Sequence, residues 1–181
     1  MRNIYLLLLV IVLPFNVFSQ DWKASAILQS TSTIEVEGSV LDNDQNIYVY
    51  GTFEGTIENI SPTLSSRASK DIFIAKYTPQ LDLTWIKRIG GPSYTYKPDV
   101  DILNDTLLVT GTFVDSVYFS DTQFQESVGF LDVFVAKYDT SGQYINSELL
   151  FFGSDYHYSG DLKILNQDEY IITGQFWNDS V

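Results

Sequence analysis

Apolar residues along this chain come in short runs rich in Val, Ile, Leu, Tyr and Phe, broken by clusters of Asn, Asp, Gly and Ser. Beyond the N-terminus no stretch holds a helical period between capping residues, and the runs have the length and composition of strands. The pattern predicts Gly38–Leu41 and Ile47–Phe53 as a hairpin about Asp42–Asn46. A short segment at Thr56–Ile60 and a Ser-rich loop, Ser61–Ser69, come next; then strands Asp71–Tyr77 and Thr84–Ile89 flank a turn at Pro79–Asp82. The same order returns in Val100–Leu103, Leu107–Phe113, Val117–Phe119, Asp132–Tyr138 and Tyr144–Phe152. It opens a third time with Leu162–Leu165 and Tyr170–Phe176, and Val181 falls in mid-unit. Ahead of the first unit, Asp21–Leu28 reads as a lone strand similar to Leu83–Ile89.

The recurrence is one of sequence as well as pattern. Asp71-Ile72-Phe73-Ile74-Ala75-Lys76-Tyr77 returns as Asp132-Val133-Phe134-Val135-Ala136-Lys137-Tyr138, 61 residues later, with only Ile/Val exchanges. Gly51-Thr52-Phe53, Gly111-Thr112-Phe113 and Gly174-Gln175-Phe176 keep nearly the same beat, at intervals of 60 and 63 residues. A fixed period of this kind is the mark of a repeat architecture. Runs such as Ile47-Tyr48-Val49-Tyr50 are apolar on both faces, which suits sheets covered on both sides. Four strands per repeat suits a propeller blade, and the glycines inside the strands predict bulges or close backbone approaches.

These phrases resemble the SBBP-type β-propeller repeat of large exported bacterial proteins, from about Gly38 to the end of the chain. The segment Trp85 to Gly91 is similar to that repeat's closing strand. The turns Asn43-Asp44-Gln45-Asn46, Asn104-Asp105-Thr106 and Asn166-Gln167-Asp168 depart from the usual Asp-x-x-Gly-Asn. The resemblance implies an exported or surface-located propeller, commonly embedded in a longer chain, and it implies no catalytic residues. The expected fold is therefore all-β, a partial β-propeller of about two and a half four-stranded blades and a fragment of a larger ring, with blade boundaries near 37, 98 and 160. A lone strand at Trp22 would close such a ring.

Charge and composition narrow the function classes. Residues 1–19 read as a secretory signal peptide: one charge at Arg2, an unbroken apolar run Leu6–Leu13, and Val17-Phe18-Ser19 near a cleavage site. Residues 20–181 then form one repeat domain, secreted or at the cell surface. The net charge of −13 becomes −14 on losing Arg2, nine basic against twenty-three acidic residues. Such a field repels nucleic acid and anionic membrane, so neither is an expected partner. With no cysteine there are no disulfides, thiolate metal sites or cysteine nucleophiles.

The candidate chemistry lies in two segments that align without a gap, Gly91–Asp99 and Gly153–Asp161. Each carries Tyr-x-Tyr and a following Asp: Tyr94, Tyr96 and Asp99, then Tyr156, Tyr158 and Asp161. Placed in the loops joining one blade to the next, they would share a face. Flat aromatic plates beside carboxylates suit sugar rings, and the competing reading packs the tyrosines between blades with the Asp capping backbone N–H groups. The expected partner is a glycan or a protein.

No catalytic residue, cofactor or metal is expected. His157 is the sole histidine, and no nucleophile-elbow motif is present. Asp42-Asn43-Asp44-Gln45-Asn46 begins like a calcium loop, but Ile47 stands where the loop glycine should be and Phe53 where the distal acid should be, so a hairpin turn is expected. The Asp71/Lys76 and Asp132/Lys137 pairs, five apart on strands, face opposite sides and are expected to act as loop anchors or as bridges to neighbouring strands. The leading reading is a non-catalytic binding module. The alternatives are a propeller hydrolase or lyase completed by further blades, which the expected Val, Ile, Leu and Gly of channel-lining strands disfavours, and a purely architectural segment.

Overall fold

The computed structural model describes residues 26–151 and 156–176. Residues 1–19, expected as a signal peptide, and most of Asp21–Leu28 lie outside them. Among the described residues every regular element is a strand.

The first unit is a four-stranded antiparallel sheet in the order β1 (Ile34–Leu41), β2 (Ile47–Phe53), β5 (Asp71–Tyr77), β6 (Leu83–Ile89). A two-stranded ribbon, β3 (Thr56–Ile57) with β4 (Leu64–Ser65), interrupts it between β2 and β5. The second unit repeats this plan with β7 (Thr95–Leu103), β8 (Thr106–Phe113), β11 (Asp132–Asp139) and β12 (Tyr144–Phe151), and a ribbon of β9 (Ser116–Tyr118) with β10 (Phe124–Glu126). A hairpin of β13 (His157–Ile164) and β14 (Tyr170–Phe176) matches β7 and β8 in register.

Side chains alternate faces along a strand, so the two near-identical central strands each feed two cores. From β5, Ile72 and Ile74 join the core between the sheets, whereas Phe73, Ala75 and Tyr77 pack on the far side with Phe53 and Ile57. From β11, Phe134, Ala136 and Tyr138 face the first sheet and Val135 faces Leu162 of the third unit. Three layers thus stack face to face, and a fully buried Phe134 contributes about 1.5–3 kcal/mol. This is why β5 and β11 read as unbroken apolar runs.

Repeated polar devices lock the units. Asp71 and Asp132, both fully buried, each accept a backbone N–H from the loop four residues back, Arg67 N–H at 2.7 Å and Val128 N–H at 2.5 Å. Lys76, on the opposite side from Asp71, reaches across to the Thr140 carbonyl at 3.1 Å and to Asp42 at 3.6 Å. Thr95 N–H donates to the Lys70 carbonyl (2.9 Å) just as His157 N–H donates to that of Leu131 (3.1 Å). At Gly51 an added Cβ would stand 1.9 Å from the Glu35 carbonyl oxygen, the close backbone approach expected of a glycine inside a strand.

Two elements differ from the sequence pattern. The first strand of each unit begins four or five residues early, at Ile34, Thr95 and His157 instead of Gly38, Val100 and Leu162. In β7 and β13 the added residues are polar, aromatic, Pro or Gly, which hides the alternation a strand would show; Ile34-Glu35-Val36-Glu37 of β1 does alternate, and a register shift falls within all three strands. The described end of the predicted N-terminal strand, Ala26–Leu28, is not in a strand; the chain there runs beside the first unit, with Glu58 N–H bonded to the Gln29 carbonyl at 3.0 Å.

Candidate functional site

The early strand starts change where the tyrosines and aspartates sit. Only Tyr94 and Tyr156 precede the strands; Tyr96 and Asp99 lie on β7 and Tyr158 and Asp161 on β13, not in connecting loops. Tyr94 and Tyr156 occupy equivalent positions just ahead of the Thr95 and His157 links, and are 51% and 48% exposed. The Tyr156 ring stands 5.0 Å from that of Phe130, which is itself exposed.

Tyr96 and Tyr158 are brought together directly. Their ring centroids are 6.4 Å apart at a tilt of 51°, and the Lys97 ammonium lies 4.4 Å from the centre of the Tyr158 ring. Burial, reinforced by the neighbouring Tyr158, pushes the Tyr96 phenol up to about 12, so it stays a neutral donor at physiological pH. Position 97 is also where the backbone turns left-handed, at φ 53°, inside the register shift of β7. The shift aims Lys97 at the following unit.

The two aspartates have unequal surroundings. Asp99 Oδ1 accepts the Tyr50 O–H at 2.5 Å and the Val100 N–H at 2.9 Å, while Oδ2 accepts the Leu162 N–H at 2.6 Å. It therefore ties the first sheet, the second sheet and the third unit together. Two residues on, Asp101 Oδ2 accepts the Ile164 N–H at 2.7 Å and pairs with Lys163 at 2.8 Å. Asp161, the repeat equivalent of Asp99, is exposed. Glu37, Lys97, Asp99 and Asp161 border a shallow groove of about 310 Å3. Burial, and then the nearby Glu35, raise the Glu37 carboxyl above its ordinary value. The first strands are thus more polar than the expected Val, Ile, Leu and Gly.

Sequence reasoning missed Tyr50, Lys97, Phe130 and Glu37 as members of this surface. One signal for the Asp99 arrangement was present: Asp99 and Asp101 alternate on one strand, a period-two pair of acids that must face the same neighbour.

The remaining candidates resolve locally. Asp42 closes its own turn: Oδ1 accepts the Asp44 and Asn46 N–H groups at 3.0 and 2.8 Å, and Oδ2 accepts from the Asn46 amide and Tyr48 hydroxyl. Burial pushes its carboxyl upward, but Asn46, Tyr48 and Lys76 together hold it below its ordinary value. His157 is buried, its ring 6.3 Å from that of Phe176. Among the described residues no three His, Cys, Asp or Glu side chains gather as a metal site, and no helix is long and apolar enough to cross a membrane.

A scan of protein-family models and a search of curated proteins both return no match to this chain.

Proposed function

We propose that this chain is a non-catalytic, exported binding module, part of a β-propeller of the SBBP-repeat kind, and that it recognises a neutral glycan through the face bearing Tyr94, Tyr96, Tyr156 and Tyr158. The propeller reading draws on the order of the units: each sheet covers the next, and the first strands lie side by side, β7 between β1 and β13. In a propeller those strands would stand nearest the axis.

The observation that carries the functional reading is the pair of half-exposed tyrosines at equivalent positions. A repeated aromatic on one face offers successive platforms to successive sugar rings, and an exposed Asp161 and a lysine at position 97 can exchange hydrogen bonds with hydroxyl groups. Asp99 holds the face in shape more than it meets the ligand, because its oxygens are already engaged.

Tyr94→Ala combined with Tyr156→Ala tests this. Retention on immobilised neutral polysaccharide should fall while the melting temperature stays within a degree or two, since both rings are about half in water. Retention unchanged in the double variant, or absent in the parent chain across a panel of neutral glycans, would refute the proposal. A variant that fails to fold would assign the tyrosines to packing.

A further inference from the structure

A cleft of about 760 Å3, lined by none of the four tyrosines, lies between β6 and the loops of the second unit. Its first-unit wall carries Arg67, Lys87 and Arg88; its second-unit wall carries Asp121, Gln123 and Gln143. In a chain of net charge −13 with only ten basic residues, three on one wall is a marked concentration. Among the described residues Arg67 and Lys87 make no ion pair, and the Gln123 and Gln143 side-chain amides have no protein partner.

The cations are held in place. The Arg67 guanidinium lies 4.1 Å from the centre of the Tyr118 ring, and the Lys87 stem runs against Gly142, where an added Cβ would come within 3.0 Å of Cε. Arg88 is paired at 3.7 Å with the fully buried Asp71 behind the wall. Burial, and then the adjacent Arg67, lower the Arg88 pKa against the pull of Asp71 and Asp121.

The repeat itself shows that the scaffold does not need these charges. By strand register Lys87 corresponds to Glu148 and Arg88 to Leu149, and by the loop anchor Arg67 corresponds to Val128. The second unit folds to the same plan with none of the three.

We propose that this cleft is a second binding site, for the anionic substituents of an acidic oligosaccharide, distinct from the tyrosine face. Guanidinium and ammonium donors meet the carboxylate or sulfate, and the amides of Gln123 and Gln143 meet the ring hydroxyls. The negative field of the whole protein disfavours densely charged polyanions. A saccharide with isolated charges enters the cleft within the screening distance of about 8 Å at physiological salt.

The test is calorimetric titration of the full chain with an oligogalacturonate, a sulfated chondroitin oligosaccharide and an uncharged cello-oligosaccharide. At least one acidic ligand should bind, more weakly as salt rises, and the preferred one identifies carboxylate or sulfate as the group read. Lys87→Glu, which installs the charge of the second unit, and Arg67→Gln should each weaken it by roughly 10-fold or more, as for loss of a charge-assisted hydrogen bond. Arg67→Gln keeps the backbone N–H that Asp71 accepts, and Lys87 shares no ion pair with Asp71, so melting should hold. Tyr94→Ala with Tyr156→Ala should leave this binding intact, which separates it from the tyrosine face. No binding of either acidic ligand, equal binding of the neutral one, or indifference to Lys87→Glu and Arg67→Gln would overturn the proposal.

Discussion

Removing the Asp99 carboxylate should loosen three units at once. The Tyr50 hydroxyl (2.5 Å) and the Leu162 amide (2.6 Å) both donate to it from outside its own sheet. Asp99→Ala leaves both without an acceptor. A hydrogen bond to a charged group contributes about 1.5–3 kcal/mol, so with partial rescue by water the expected loss is about 3–5 kcal/mol. For a domain of this size that is a fall in Tm of about 6–20 °C. Asp99→Asn should cost less. Its single oxygen can keep Leu162, and its amide can donate to the Tyr50 oxygen, while the Val100 N–H and the Tyr50 hydroxyl proton lose this acceptor.

Urea unfolding of Asp99→Ala, Tyr50→Phe and the double variant gives the coupling between the two side chains, expected at about 1–2 kcal/mol. Hydrogen exchange supplies a local readout: protection of the Leu162 amide should drop in Asp99→Ala beyond the global loss. Additivity of the two single variants, or an Asp99→Ala chain within about 0.5 kcal/mol of the parent, would refute the bridging role.

Two further outcomes are expected. Burial pushes the Asp71 carboxyl from 3.8 up to about 6, despite the Arg67 N–H and Arg88 beside it, so the folded state holds this proton more tightly than the unfolded one. That contribution is complete below about pH 4 and is lost as pH rises through 6, a penalty on the order of 3 kcal/mol. Asp71→Asn should therefore gain stability relative to the parent across that window and level off above it; a pH-independent difference in chemical denaturation would contradict the assignment. Gly51→Ala should cost roughly 1–3 kcal/mol or more, because its Cβ meets the Glu35 backbone oxygen and not a side chain that can turn aside; an unchanged urea midpoint would refute this.

How far the sequence reached depends on which atoms carry the information. Strand content, the unit length and the two-faced burial of β5 and β11 follow from local residue type and period, because alternation and apolarity along a strand decide which faces can be wetted. The turn at Asp42 was legible for the same reason, since its carboxylate closes on groups within six residues. The strands β1, β7 and β13 extend beyond their apolar cores because pairing with β2, β8 and β14 continues past a shift in register, at Glu37, at Lys97 and Pro98, and at Gly160 and Asp161.

Asp99 and Asp161 show the limit. Equivalent in sequence, they differ in role: Asp99 receives the Leu162 amide of the next unit, whereas Asp161 is exposed. Nor could the pattern assemble the cationic cleft, whose lysine and arginines come from one unit and whose amides come from loops more than thirty residues on. Period and polarity determine which segments become strands and which faces are buried. Which polar groups meet, and which are left to meet something else, is decided by how the units stack, since hydrogen bonds and charges act over a few ångströms in space whatever their separation along the chain.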